Sequence, residues 1–402
     1  MGGHKHYTSN HKSQIISLPL HSLTLPRLNG GAMKDMDDIK RIVLTGGPCA
    51  GKTTALVRII EHFSSLGYKV FTIPEVPTLF TQAGMNYLTK NQGFFYEGEK
   101  ATLEIQIALE DKFMRMAREC VKPCIIVCDR GALDISAYMS PDMWNQITRS
   151  VGTSTPELRE RYDAVLHLVS AADGAEQFYT TANNASRNES NDNEGLRIAR
   201  MLDKKVIHAW TGHPHLRVIN NHEDFEAKMH RVIKEISNVL SLPQPIEEER
   251  KYVVEITGDF PDDCIESEIT QTYLKGYPDC EERLRKRSWG KKVVYVHTTK
   301  KKTAENEELV TERQINQNLY EIMLPIADPD RNTIHKFRKS FIWQGQYFEV
   351  DTYLDQLQGL VILETKGIAE GESLKLPPFL RIIKEVTGNK DYYNYELSKQ
   401  KH

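Results

Sequence analysis

The stretch RIVLTGGPCAGKTT, residues 41–54, constrains this chain more than any other. An apolar, β-branched run ends in glycines, and a helix-forming segment closed by Gly67 follows. Gly46, Gly51, Lys52 and Thr53 stand at G-x-x-x-x-G-K-T spacing between that strand and that helix, the context in which the motif has a mechanical meaning. The candidate nucleotide site is the loop Gly46, Gly47, Pro48, Cys49, Ala50 and Gly51 with Lys52, Thr53 and Thr54 at the helix start. Its glycines let backbone N–H groups wrap phosphates, and the helix N-terminus adds partial positive charge. Lys52 is expected to reach the β- and γ-phosphates and the Thr53 hydroxyl to take a Mg²⁺ position. The expected ligand is therefore Mg²⁺ with a nucleoside triphosphate. The choice between GTP and ATP stays open, because no guanine-reading N-K-x-D follows; "GNKDYY" lies near the C-terminus, in the wrong block.

From about residue 39 to 241, short apolar runs alternate with helical patterns: "KVFTIPE", "PCIIVCDRG", "YDAVLHLVS" and "HLRVINN" read as strands, and "DFEAKMHRVIKEISNVLSL" as a closing helix. Unbroken apolar strands alternating with helices predict an α/β domain, a parallel sheet covered on both faces. Three residues are candidates for phosphoryl chemistry. Asp129 ends the apolar "CIIVCD", where a carboxylate can hold Mg²⁺ or cap the next helix; Arg130 can touch substrate or phosphate; Glu75 ends "TIPE", as a general base or a structural carboxylate. Arg197 and Arg200, three apart on one helix face, are candidates to close over a triphosphate, or form a solvated basic face. The polar "ANNASRNESNDNEG", 182–195, reads as a mobile loop.

The chain has 402 residues and a net charge of −3, room for two domains and no global drive toward nucleic acid. No run approaches the ~20 apolar residues of a membrane-spanning helix. The cysteines (49, 120, 124, 128, 264 and 280) include no C-x-x-C pair and read as free thiols of a reducing, cytoplasmic compartment. Residues 1–38, rich in Ser, His, Gly and Pro with no acid before Asp35, read as disordered, and the lack of acids leaves organellar targeting open.

Beyond the proline-broken "SLPQPIEEER" the pattern changes, and 246–402 carries short β-type runs, with helix expected only near "QNLYEIMLPIA" and "LPPFLRIIKEVTG". Closely spaced strands predict an α+β antiparallel barrel. Strand parity sorts its charges: Glu247, Glu249 and Lys251 share a face, as do Arg283, Arg285 and Arg287, Lys336 and Arg338, and Glu349 and Asp351. Lys300 and Glu312 end or occupy neighbouring strands. One such strand reads as solvated surface. Several together read as a charged lumen, which is stable only with paired carboxylates or a bound anion. Lys251, Arg283, Arg285, Arg287, Lys300, Lys336 and Arg338 are the candidate anion grip. Glu247, Glu249, Glu312, Glu349, Asp351 and Glu364 are the candidate ligands of a second divalent metal.

Two resemblances follow. "IVLTGGPCAGKTT", "TIPE", "VCDRGALDISAY" and "GHPHLRVINN" resemble the P-loop domain of nicotinamide-riboside-kinase-like proteins and of the translocation defect protein family of fly photoreceptors. "EEERKYVV", "ITQTYL", "RLRKR", "HTTK", "KFRKSF", "YFEVDTY" and "GLVILE" resemble, in order, the CYTH or triphosphate-tunnel fold. The sequence departs from that fold at position 366, a Lys, and at 314, a Gln, where it carries carboxylates. The resemblance implies weakened metal binding and doubtful triphosphate hydrolysis. The two blocks in this order resemble the translocation defect family, which implies guanine-nucleotide binding and phosphoinositide binding, peripheral membrane association and membrane-protein trafficking. A small-molecule kinase fused to a metal-dependent tri- or polyphosphatase is the alternative.

Overall fold

The computed structural model describes residues 39–179, 193–242, 250–275, 280–302, 308–365 and 373–400. The expectations placed on 1–38, on Glu247 and Glu249 and on position 366 therefore lie outside the described residues. Residues 34–402 form one compact unit.

The first block is the α/β layer expected from the alternation. Its strands are β1 (Ile39–Thr45), β2 (Lys69–Ile73), β3 (Cys124–Asp129), β4 (Ala164–Leu168) and β5 (Leu216–Ile219). They pair in the order β2-β3-β1-β4-β5, every pair parallel. Strands buried on both faces need near-continuous apolar residues, and β3 and β4 supply them apart from Asp129 at the end of β3 and the buried His167 in β4. One core joins Val43, Ile126, Cys128, Val165 and Trp210; the other joins Leu44, Ile59, Phe63, Val127, Leu166 and Ile236. The helices are α1 (Lys52–Ser65), α2 (Val76–Gln82), α3 (Gln92–Arg118), α4 (Pro141–Val151), α5 (Thr155–Arg159), α6 (Asn193–Trp210) and α7 (Phe225–Val239). Helix α6 begins at Asn193, so the last three residues of the expected loop are helical; 180–192 are not described. All six cysteines are free.

The second block is antiparallel. Its strands are β6 (Arg250–Ile256), β7 (Ile265–Tyr273), β8 (Cys280–Trp289), β9 (Lys292–Lys302), β10 (Glu308–Ile315), β11 (Ile334–Trp343), β12 (Gln346–Tyr353), β13 (Val361–Thr365) and β14 (Leu380–Glu385), with helices α8 (Gln317–Met323) and α9 (Asn394–Leu397). Two expectations need correction. "LRIIKE" was expected as helix but is the strand β14, paired along β6 with one bulge; its adjacent β-branched isoleucines suit a pleated edge. A closed barrel is not what the pairing shows: the ladder runs β10-β9-β8-β7-β11-β12-β13-β6-β14, and among the described residues its two end strands do not pair.

Hairpin β11–β12 turns through Gln344 (φ 46°) and Gly345 (φ 78°), the double positive φ of a two-residue type I′ turn. That turn fixes the register in which Arg338 faces Asp351 and Ser340 faces Glu349. Cross-strand pairing carries the same face on through Glu364 to Lys251, and the other way through Gln271 to Arg285. Charges thus gather on one face. The other face of these strands is apolar, built from Tyr252, Val254, Phe341, Phe348, Val350 and Leu363 beneath Phe379.

The sheets meet at the amino ends of β1, β4 and β5. Arg287 Nη2 donates to Glu160 Oε2 at 2.8 Å, and Lys40 Nζ to the Glu312 carbonyl at 3.4 Å. His215 Nε2 and Glu312 Oε2 share a hydrogen bond of 2.7 Å. Tyr347 of β12 packs into the parallel sheet's own core. The phosphate loop lies at the opposite, carboxyl end.

In the charged face, Arg338 is 15% exposed and bonds three carboxylates, so Arg338→Ala strips buried Glu349 of its cation and leaves Asp351 and Glu364 to Lys336 and Lys251 alone. It should cost roughly 3–5 kcal/mol, read as a lower urea midpoint at unchanged m-value. A shift below about 1 kcal/mol would contradict this packing.

Candidate functional site

Between β1 and α1 the chain reverses over β4. Gly46 has φ 139°, and a Cβ there would lie 2.0 Å from the Leu168 carbonyl oxygen; Gly51, at φ 89°, turns the loop into α1. Both glycines of the motif are thus required by backbone geometry. Lys52 Nζ donates to the Gly46 and Gly47 carbonyls, each at 3.0 Å. Burial, then the neighbouring Arg130 charge, pushes Lys52 down to about 8. The ammonium is held by the very loop whose phosphates it is expected to meet.

Asp129, the last residue of β3, keeps an Oδ1 that is buried and without a hydrogen-bond partner. Burial raises its carboxyl above the usual range, with Lys52 opposing. An orphaned carboxylate oxygen beside the loop lysine is a donor suited to a hard cation. Thr53, exposed at the start of α1, offers the hydroxyl. Arg130 adopts φ 69°, uncommon for a residue with a side chain, and so turns its guanidinium back over the loop. It pairs with Glu75, and its Nη1 reaches the Gly46 carbonyl at 3.4 Å. Glu75 is the N-cap residue of α2; burial would raise its carboxyl, but the charges of Arg130 and Lys52 and the hydrogen bonds from Arg130 and Thr78 together hold it low. The structure thus brings Glu75, Asp129, Arg130 and Lys52 together. Arg197 and Arg200 are both on α6 and face carboxylates: Arg197 pairs with Glu194 at 2.5 Å in solvent, and Arg200 with Glu176 at 2.8 Å and the Ala172 carbonyl.

Three carboxylates of the site carry no motif signal. Asp134 accepts from Thr45 Oγ1 (2.6 Å), the Gly131 N–H (2.7 Å) and Trp210 Nε1 (2.9 Å), fixing the turn after Arg130. This is the capping role that the sequence offered to Asp129. Asp203, on α6, accepts from the Gly47 N–H at 2.6 Å and lies 3.2 Å from His167 Nε2, so α6 is tied to the loop itself. Glu99, on α3, is 4% exposed, and burial pushes it up to about 7. One turn later Thr102 Oγ1 meets the Tyr87 hydroxyl at 2.8 Å; Tyr87 is pushed up to about 12 by burial, with the Glu99 and Glu75 charges adding to it. Tyr87 therefore lies within electrostatic reach of both Glu99 and Glu75, and Glu75 pairs with Arg130.

The second sheet divides its charges unequally. At one end, Lys336, Arg338 and Lys251 face Asp351, Glu349 and Glu364, three cations against three carboxylates. Arg338 bonds Asp351 at 2.6 Å, Glu349 at 2.6 Å and Glu364 at 3.0 Å, Lys336 bonds Asp351 at 2.5 Å and Lys251 bonds Glu364 at 2.9 Å. At the other end stand Arg283, Arg285 and Arg287. Arg283 lies 3.5 Å and Arg285 3.9 Å from the same Glu312 Oε1, whose carboxylate also serves His215. Burial, then Arg283, pushes Arg285 down to about 10: it is a cation short of compensation. Lys300 pairs across the ladder with Val310 and Glu281 on this face. Among the described residues no cluster of three or more His, Cys, Asp or Glu side chains is placed to hold a metal.

Glu99 gives a test of its own burial. Its folded value lies above the ordinary 4.5, so ionising it in the fold costs stability progressively from about pH 4.5 to 7 and at full strength above. Glu99→Gln should stabilise the protein by about 1–3 kcal/mol at pH 8 and leave it unchanged at pH 4, read by denaturant unfolding. Equal effects at both pH values would contradict it.

Residues 41–228 match a family model described as an AAA domain. No curated protein matches the chain. Among solved structures, an inorganic triphosphatase is similar at 24% identity over 39% of this chain and 98% of its own, with a TM-score of 0.31. A shikimate kinase from Acinetobacter baumannii in complex with shikimate is similar at 14% identity over 51% of this chain and 96% of its own, with a TM-score of 0.32. Both TM-scores are too low to carry an argument. The geometry and the family match together make the first block an AAA-type P-loop domain.

Proposed function

We propose that the chain binds a nucleoside triphosphate at its phosphate loop and a second, clustered-phosphate anion at the arginine end of the charged sheet. The observation that carries the first half is the pairing of Lys52, turned onto a glycine-shaped loop, with the orphaned Asp129 oxygen next to it. Asp129 and Thr53 would hold Mg²⁺, which when bound neutralises β- and γ-phosphate charge. Glu75, Tyr87 and Glu99 would face an acceptor of the γ-phosphate. Their grouping next to Arg130 through Glu75 favours a kinase reading over a purely binding one, with Glu75 as base.

For the second half, the imbalance of charge decides. Lys336, Arg338 and Lys251 already occupy Asp351, Glu349 and Glu364, which argues against a metal ion at that end and directs an added anion to the other. Arg285 shares Glu312 with Arg283 and His215, whereas Arg283 also faces Glu281 at 4.0 Å, so Arg285 gains most from an incoming anion. An inositol phospholipid headgroup and inorganic triphosphate present the same clustered phosphate oxygens to them. Liposomes bearing the lipid and soluble triphosphate separate the two, and with them the membrane-trafficking role that the motif resemblance implies. Among the described residues no helix is long and apolar enough to cross a membrane.

Two titrations test these halves. Nucleotide affinity should be flat below about pH 8 and fall up to tenfold per unit above it, because Lys52 must be charged to bind; an affinity that stays level to pH 10, or survives Lys52→Ala, would refute the first half. Arg285→Ala should weaken triphosphate or headgroup binding roughly ten- to hundredfold with little loss of stability, since it removes an under-compensated cation. Unchanged binding of both ligands would refute the second half.

A further inference from the structure

Helix α7 carries an apolar stripe at helical spacing: Phe225, Met229, Val232 and Ile236. Met229, Val232 and Ile236 are 2%, 1% and 0% exposed and belong to the core. Phe225, at the helix start, is 45% exposed and lies outside it. Its ring overhangs the phosphate loop: a Cβ on Gly51 would meet Phe225 Cε2 at 2.9 Å and Cζ at 3.3 Å.

Sheet order gives that overhang a direction. Lys52, Asp129 and Glu75 mark the γ-phosphate end on the β3–β2 side of β1. A nucleotide seated with that polarity extends its nucleoside toward β4 and β5, where Phe225 follows β5. The rim there is fixed before any ligand arrives. Asn221 Nδ2 donates to the Ser170 carbonyl at 2.8 Å and the Asp173 carbonyl at 2.7 Å, and Lys228 Nζ to the Val169 carbonyl at 2.8 Å. Ser170 Oγ holds the Pro48 carbonyl at 2.5 Å, and Asp224 caps α7 through the Ala227 N–H at 2.8 Å. Arg58 and Glu226 clamp α1 to α7 at 3.0 Å.

We propose that the exposed face of Phe225 is the stacking platform for the nucleobase of the bound nucleoside triphosphate. This rests on the phosphate-loop reading above and adds the base site to it. An aromatic platform accepts any base, since every base presents a π-face; the ring therefore holds adenine and guanine alike.

Phe225→Leu keeps an apolar contact on Gly51 and removes the π-face. It should raise the dissociation constants of both ATP and GTP roughly five- to a hundredfold. Inorganic triphosphate, measured by displacement of a ribose-labelled nucleotide, should keep its affinity for the loop. Phe225→Trp should restore nucleotide binding and show fluorescence quenching on titration. Unchanged ATP and GTP affinity in Phe225→Leu would overturn the proposal, and so would an equal loss for triphosphate, which would mean that the ring only supports the loop. Lys52→Ala in parallel tests the loop reading separately: it removes triphosphate and nucleotides together, whereas Phe225→Leu removes only what the base contributes.

Discussion

The guanidinium of Arg338, bonded at once to Asp351, Glu349 and Glu364, is the interaction on which the second half of this molecule depends. Charge inside a sheet must be cancelled where it lies, because desolvation costs several kcal/mol per ion. Arg338 charge-balances one end of the face, with Lys336 and Lys251 completing a neutral cluster. That cancellation spans four strands, β11, β12, β13 and β6, and leaves Arg285 the under-compensated cation of the face. The same constraint joins the two blocks, since Glu312 serves both Arg283 and His215, on opposite sides of the junction. Burial would push the Glu312 carboxyl up, but the His215 hydrogen bond and the arginine charges hold it well below the ordinary range. An anion reaching Arg283 and Arg285 would therefore compete with a residue that also ties the sheet to the P-loop domain.

The phosphate loop obeys a different rule. Its functional atoms are backbone, and what matters is how close the chain can pass to β4; Gly46 answers that by lacking a Cβ. The loop is then pinned by residues far away in sequence: Asp203 on Gly47, Ser170 on Pro48 and Arg130 on Gly46. Such a loop is organised before its ligand arrives, which keeps the ordering cost of binding low.

Legibility followed how local each feature is. The loop was readable because spacing, strand and helix all lie within about fourteen consecutive residues. The charged face was readable because alternation along a strand reports its two sides, so that Lys336 with Arg338 and Glu349 with Asp351 declared a common face before any pairing was known. Which cation neutralises which carboxylate was not readable, because that depends on register across β12, β13 and β6. Asp134, Asp203 and Glu99 gave no signal for the same reason: each acts on a backbone or pocket distant in sequence. "LRIIKE" misled because a short apolar run with flanking charges fits helix and edge strand equally, and only its pairing with β6 decides. Barrel closure depends on the meeting of the two end strands, which no single strand's pattern encodes.

The central claim is that one chain holds two phosphorylated ligands at opposite ends of its parallel sheet. Calorimetric titration of inorganic triphosphate into protein saturated with ATP and Mg²⁺ tests it most directly. One equivalent of triphosphate should still bind, and Arg285→Ala should weaken this isotherm. Triphosphate that binds only by displacing ATP, or not at all, would contradict it.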